Sequence, residues 1–189
     1  MSRHPHSVRR ITTALAGGAV LGATAVAGPA SAAPGCATAW GSLAESATGS
    51  AVGTLDEIRT GQHACFDRIV LDLDGAAGTR VGYRVEYVGQ VVQDGSGTPV
   101  PLRGAADLQI AVTLPAYTEG GVATYDPTND AEAESVAGYR TFRQVAWAGS
   151  FEGVSTVGLG VRARLPFRVM VLDGPGNDAR LVVDVAHTW

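Results

Sequence analysis

The sequence predicts an all-β protein: a single antiparallel β-sandwich of about seven to eight strands, preceded by an irregular, disulfide-tied N-terminal arm. Three observations carry this. After Cys65, short runs of β-branched and aromatic residues alternate with polar ones at period two. Clusters of Gly, Pro, Asn and Asp separate the runs, and no stretch keeps a 3.6-residue apolar period. The chain divides on this reading into a leader at 1–32, an arm at 33–58 and the sandwich at 59–188.

The leader comes first. Arg3, Arg9 and Arg10 form a basic start, Ile11 to Gly28 carries no charge, and Ala30-Ser31-Ala32 supplies the small-x-small pattern of a cleavage site, so the segment reads as a secretory signal peptide. Its glycines and alanines make it too weakly apolar for a bilayer span, so no stable membrane anchor is expected after cleavage. Arg9-Arg10 leaves both the general secretory and the twin-arginine routes open. The expected location is extracellular or cell-wall associated. No sortase motif or apolar C-terminal tail suggests covalent wall attachment.

The arm is small and polar, with Trp40, Leu43, Val52, Leu55 and Ile58 as its larger apolar residues. Cys36 and Cys65 are the only two cysteines, and in an exported protein they are expected to pair. Ala33-Pro34-Gly35 lacks the Leu of a lipobox, which speaks against acylation of Cys36. Strands then follow in order. Ile69, Leu71 and Leu73 form one apolar face, Tyr83, Val85 and Tyr87 the next, and Leu108, Ile110, Val112 and Leu114 a third that Pro115 ends. Tyr117 to Ala137 is a long acidic loop, expected to cover an edge or move freely. Arg140–Ala148, Val154–Ala163, Phe167–Leu172 and Arg180–Val185 complete the set.

Composition limits function. The 14 basic residues, all arginine, fall to 11 once Arg3, Arg9 and Arg10 are removed, against 18 acids, so the mature chain carries a charge of about −7. Such acidity excludes a general nucleic-acid binder, which needs a basic footprint on phosphates. Catalytic motifs are absent, and a His63–Asp67 pairing with some serine is chance-level chemistry. His63 and His187 read as partly exposed flanking residues. Asp126, Asn129, Asp130, Glu132 and Glu134 could offer oxygens to calcium, but the spacing fits no EF-hand, so a solvated acidic loop is expected and no metal or cofactor is assigned.

The richest binding chemistry lies in Tyr139, Arg140, Phe142, Arg143 and Trp147, with Arg162, Arg164 and Arg168 beyond. Read as one strand, Tyr139, Thr141, Arg143, Val145 and Trp147 share a face. Rings beside guanidiniums stack sugars and pair with carboxylates. The plainer reading puts the rings in the core and the arginines in rim ion pairs.

Several strings then act together: Arg59-x-Gly61-x-His63-x-Cys65-x-Asp67-Arg68-Ile69-Val70-Leu71-Asp72-Leu73, Gly82-Tyr83-Arg84-Val85-x-Tyr87-Val88, and Gly149-Ser150-Phe151-Glu152-Gly153. Gly158-Leu159-Gly160-Val161, Leu165-Pro166-Phe167-Arg168-Val169 and Arg180-Leu181-Val182-Val183-Asp184-Val185-Ala186-His187 follow. Over about residues 59–188 this resembles the AMIN-like domain of secreted and lipoprotein-type actinobacterial proteins. The resemblance implies a sandwich related to AMIN domains, non-catalytic modules that locate cell-wall amidases and secretins at the envelope, some by binding peptidoglycan. It implies no ligand residues. No amidase or pore domain accompanies the module here, so it is expected to act in trans or alone. The expected function is therefore a secreted, non-catalytic cell-envelope module binding peptidoglycan or another glycan through Tyr139, Arg140, Arg143, Trp147, Arg162 and Arg164. The alternative is a protein–protein module that engages another exported protein through a sheet edge or the acidic loop.

Overall fold

The computed structural model describes residues 35, 36, 38–77 and 80–189. The predicted leader at 1–32 lies outside them. Among the described residues, no helix is long and apolar enough to cross a membrane.

Two antiparallel sheets form the sandwich. One holds β1 (Glu45–Ala47), β4 (Tyr83–Val88), β7 (Ala106–Val112), β9 (Val154–Val161) and β8 (Phe142–Phe151), in the order β1-β4-β7-β9-β8. The other holds β10 (Phe167–Asp173), β11 (Ala179–Ala186), β3 (Phe66–Asp74) and β2 (Thr54–Gln62), in the order β10-β11-β3-β2. A short hairpin of β5 (Val91–Val92) and β6 (Pro99–Val100) stands apart. The core between the sheets takes alternate residues of each strand: Ile69, Leu71 and Leu73; Leu108, Ile110 and Val112; Val157, Leu159 and Val161; Leu181, Val183 and Val185.

The expected arm at 33–58 needs correction, because β2 begins at Thr54 and brings Leu55 and Ile58 into the core. Strict alternation hides this strand. A bulge between Leu55 and Glu57 shifts the phase by one, so Leu55 pairs with Leu73 and Ile58 with Leu71, both facing inward. What precedes β2 is tied at several places. The Cys36–Cys65 disulfide closes a separation of 29 residues, with Cα atoms 5.1 Å apart. Gly41 bridges Phe167, its carbonyl accepting the Phe167 amide at 2.8 Å, and Arg164 donates to the Ser42 carbonyl at 2.8 Å. β1 then pairs with β4, so the arm crosses from the edge of one sheet to the edge of the other.

The acidic loop covers an edge. A 3-10 turn at Asp130–Glu132, capped by Asn129, packs on β8, and the Ala133 amide donates to the Val145 carbonyl. The loop also lies along β2, where Leu55 N donates to Pro115 O and Thr124 Oγ1 donates to Leu55 O. The chain from Pro115 to Glu134 thereby covers part of both strand edges on that side.

The outer faces of the two sheets differ. The five-stranded sheet is roofed by the segment that carries β5 and β6. Leu102 and Arg103 lie on Gly158 and Gly160, where an ideal Cβ on Gly160 would stand 2.0 Å from the Arg103 carbonyl oxygen. Only glycine admits that approach. The Arg103 amide also donates to Gln144, and Thr156 Oγ1 to Asp94. Among the described residues, only Trp40 of the arm lies on the outer face of β10-β11-β3-β2, at the end that carries Phe66 and Arg168.

Candidate functional site

The open outer face of the four-stranded sheet is built from one repeated pattern. β3 reads Arg68-x-Val70-x-Asp72 outward and β11 reads Arg180-x-Val182-x-Asp184 outward. Antiparallel pairing sets Arg68 opposite Asp184, Val70 opposite Val182 and Asp72 opposite Arg180. The pattern is thus doubled about a local two-fold centred on the two valines. Each flanking strand adds one arginine: Arg168 on β10 opposite Asp184, and Arg59 on β2 beside Asp72.

Two Arg–Asp–Arg units result. Arg68 grips Asp184 with Nε at 2.6 Å and Nη2 at 2.9 Å, while Arg168 reaches the same carboxylate at 2.8–2.9 Å. Arg59 grips Asp72 through Nε at 2.5 Å and Nη2 at 2.9 Å, and Arg180 Nε reaches it at 3.2 Å. These bonds hold the Arg59 and Arg68 guanidiniums above the ordinary arginine range. Asp184 is fully buried beneath its two arginines, whereas Asp72 is partly open. Each unit sums to one positive charge, on a chain that is acidic as a whole.

Between the units lies a groove of about 280 Å³ lined by Arg59, Arg68, Arg180, His63, Val70 and Val182 among others. Val70 and Val182 face outward and sit outside the central core, yet they are buried, as expected where arginine stems lie along a sheet. At one end stands an aromatic ledge. His63 stacks on Phe66 with centroids 4.4 Å apart, Trp40 meets Phe66 edge-on at 5.8 Å, and Arg168 lies 4.3 Å over Trp40. The other end is acidic, with Asp56, Glu57, Asp74 and Asp178 beside Arg59 and Arg180. There the Asp74 carboxyl is raised above its usual range, first by a hydrogen bond to Asp178 and then by the charge of Asp56.

The residues expected to bind ligand are not gathered in one place. β8 starts only at Phe142, so Tyr139 and Arg140 precede it, and a bulge at Arg143 breaks the predicted alternation. Phe142, Val145 and Trp147 consequently face the core together. Trp147 is 8% exposed and packs edge-on against Tyr125 at 5.1 Å. Tyr139 stacks on Phe142 and donates its hydroxyl to Thr60 at 3.1 Å. Arg143 donates to the carbonyls of Tyr139, Phe142 and Arg140, acting as a local clamp. Arg140 is exposed, Arg162 donates to the His187 carbonyl, and Arg164 caps Ser42 and lies 5.0 Å over Tyr87.

The histidine reading changes as well. Asp67 faces His187 rather than His63, and His187 is buried, donating through Nε2 to Asp67 Oδ1 at 3.0 Å. Asp67 Oδ2 accepts the amides of Thr141 at 2.6 Å and Phe142 at 3.1 Å. Thr141 Oγ1, next to this pair, donates to the Ala186 carbonyl rather than to the imidazole. The group works as a polar clasp that joins the ends of β3 and β11 to the start of β8. In the acidic loop, Asn129 is spent on the turn cap and Glu132 on an ion pair with Arg103. Among the described residues, no three His, Cys, Asp or Glu side chains converge as a metal site requires.

The family model of the AMIN-like domain matches residues 53–187, which span β2 to the clasp residue His187. No curated protein and no solved structure matches the chain.

Proposed function

The chain belongs to the AMIN-like family, and from that premise we propose that it is a non-catalytic module that attaches to the cell wall through the outer face of β10-β11-β3-β2. Membership places it among envelope-associated domains. The observation that carries the reading is the pair of Arg–Asp–Arg units flanking a groove on the outer face of β10-β11-β3-β2. In each unit the aspartate fixes two guanidiniums in place and leaves donors over: Arg180 spends only Nε, and Arg59 and Arg68 keep Nη1. Pre-organised guanidinium forks suit carboxylates. The Phe66–His63 ledge suits the apolar faces of sugar rings. Bacterial wall glycans present both chemistries.

The disulfide agrees with an oxidising compartment outside the cytosol. Catalysis draws no support from the one buried His–Asp pair, which is sealed from substrate and already employed as a clasp. A second reading, strand addition by a protein partner, is favoured by a single feature. The arm closes β10 at Phe167 and Val169 but leaves Val171 to Asp173 as open edge, with Val171 and Leu172 exposed.

Co-sedimentation with insoluble peptidoglycan tests the proposal. Saturable pelleting that weakens as salt rises is expected, since the contacts are charge-assisted. Protein that stays in the supernatant at every salt concentration contradicts it and turns attention to the β10 edge.

A further inference from the structure

The two Arg–Asp–Arg units are not merely near each other; the strand pairing fixes their separation. Arg68 and Asp72 stand four residues apart on β3, as do Arg180 and Asp184 on β11, which sets the two charged centres about 13 Å apart along the strands. Between them the two central strands carry no charge, only Val70 and Val182, which Arg59 on β2 and Met170 on β10 flank. The acidic margin at Asp56, Glu57, Asp74 and Asp178 repels an anion that runs on past Arg59 and Arg180, so an anionic chain is confined towards His63 and Phe66. The strands of the face are paired with one another, which leaves a peptide no backbone ladder to join within it.

Resting on the reading that this face binds the wall, we infer that its ligand is an extended carboxylated glycan gripped at two points. One carboxylate meets Arg59 and Arg180, a second meets Arg68 near His63, and the intervening sugars lie over the arginine stems that cover Val70 and Val182. A single sugar covers less than half the span. Recognition is therefore bivalent: the second contact forms at the effective concentration set by the first, and affinity steps up when the chain becomes long enough to reach both ends.

Calorimetric titration of the intact, disulfide-bonded protein with galacturonate oligomers tests this. The tetramer is expected to bind at least about tenfold more tightly than the dimer. The double variant Arg59→Gln/Arg180→Gln should bring the tetramer down to dimer-like affinity. Arg180→Lys, which preserves charge and fold, should lose part of the step because a lysine lacks the planar fork. An affinity independent of length overturns the two-point grip, as does tetraglutamate or neutral chitotetraose binding as tightly as the tetramer. Wall pelleting that persists without a length step overturns this inference alone; loss of pelleting overturns the underlying reading too.

Discussion

Tyr125 shows what a single side chain contributes here. Its ring packs against Trp147 beneath the acidic loop, but its hydroxyl is buried with no hydrogen-bond partner. Burial, followed by the charges of Glu134, Asp130 and Glu57, pushes the phenol up to about 12. An unpartnered buried hydroxyl is a cost, so Tyr125→Phe should stabilise the fold by about 1 kcal/mol in urea unfolding. An equal loss would mean that the hydroxyl does useful bonding. Asp74 offers a pH-dependent counterpart. Its raised carboxyl binds a proton more tightly in the folded chain than in the unfolded one, so its favourable contribution is complete below the unfolded value and lost as pH rises through the folded one. Asp74→Asn should therefore melt with the wild type near about pH 3 and above it at about pH 7. A variant that melts lower at neutral pH contradicts the direction assigned to the Asp74 carboxyl.

At the scale of elements, the arm is the decisive piece. It begins at a disulfide, lays Trp40 between Phe66 and Arg168, closes half of β10 and ends as a strand on β4. Replacing both cysteines with serine should cost about 3 kcal/mol in the loop-closure account. It should also speed hydrogen exchange at the Phe167 and Val169 amides, which Gly41 and Glu45 now protect. Unchanged exchange there would show the arm held by its other contacts alone. The long strands from β3 onward, β8 among them, were legible because alternation reports a half-buried strand directly. β2 was not, because its bulge at Leu55/Glu57 shifts the phase that the eye follows, and in β8 the bulge at Arg143 hid which residues share a face. That same shift turned Trp147 into the core and scattered the expected binding residues. His187 was misjudged because its partner Asp67 is 120 residues away in sequence. The working face did leave a signal, the Arg-x-Val-x-Asp pattern of β3 and β11, which gains meaning only once the two strands are known to be antiparallel neighbours.

The whole molecule divides its labour between two sheets. One is roofed by the β5–β6 segment and edged by the acidic loop; the other keeps its outer face open and holds four of the arginines there. An acidic chain with a local basic face repels anionic polymers in general yet accepts them in one orientation. The most direct measurement compares peptidoglycan pelleting of two variants that lose the same charge. Arg59→Gln/Arg180→Gln alters the open face, and Arg84→Gln/Arg140→Gln alters exposed arginines elsewhere. The account predicts that the first variant loses most of its pelleting while the second retains it. Equal loss in both would make attachment a matter of net charge, and retention in both would place the wall-binding surface away from β10-β11-β3-β2.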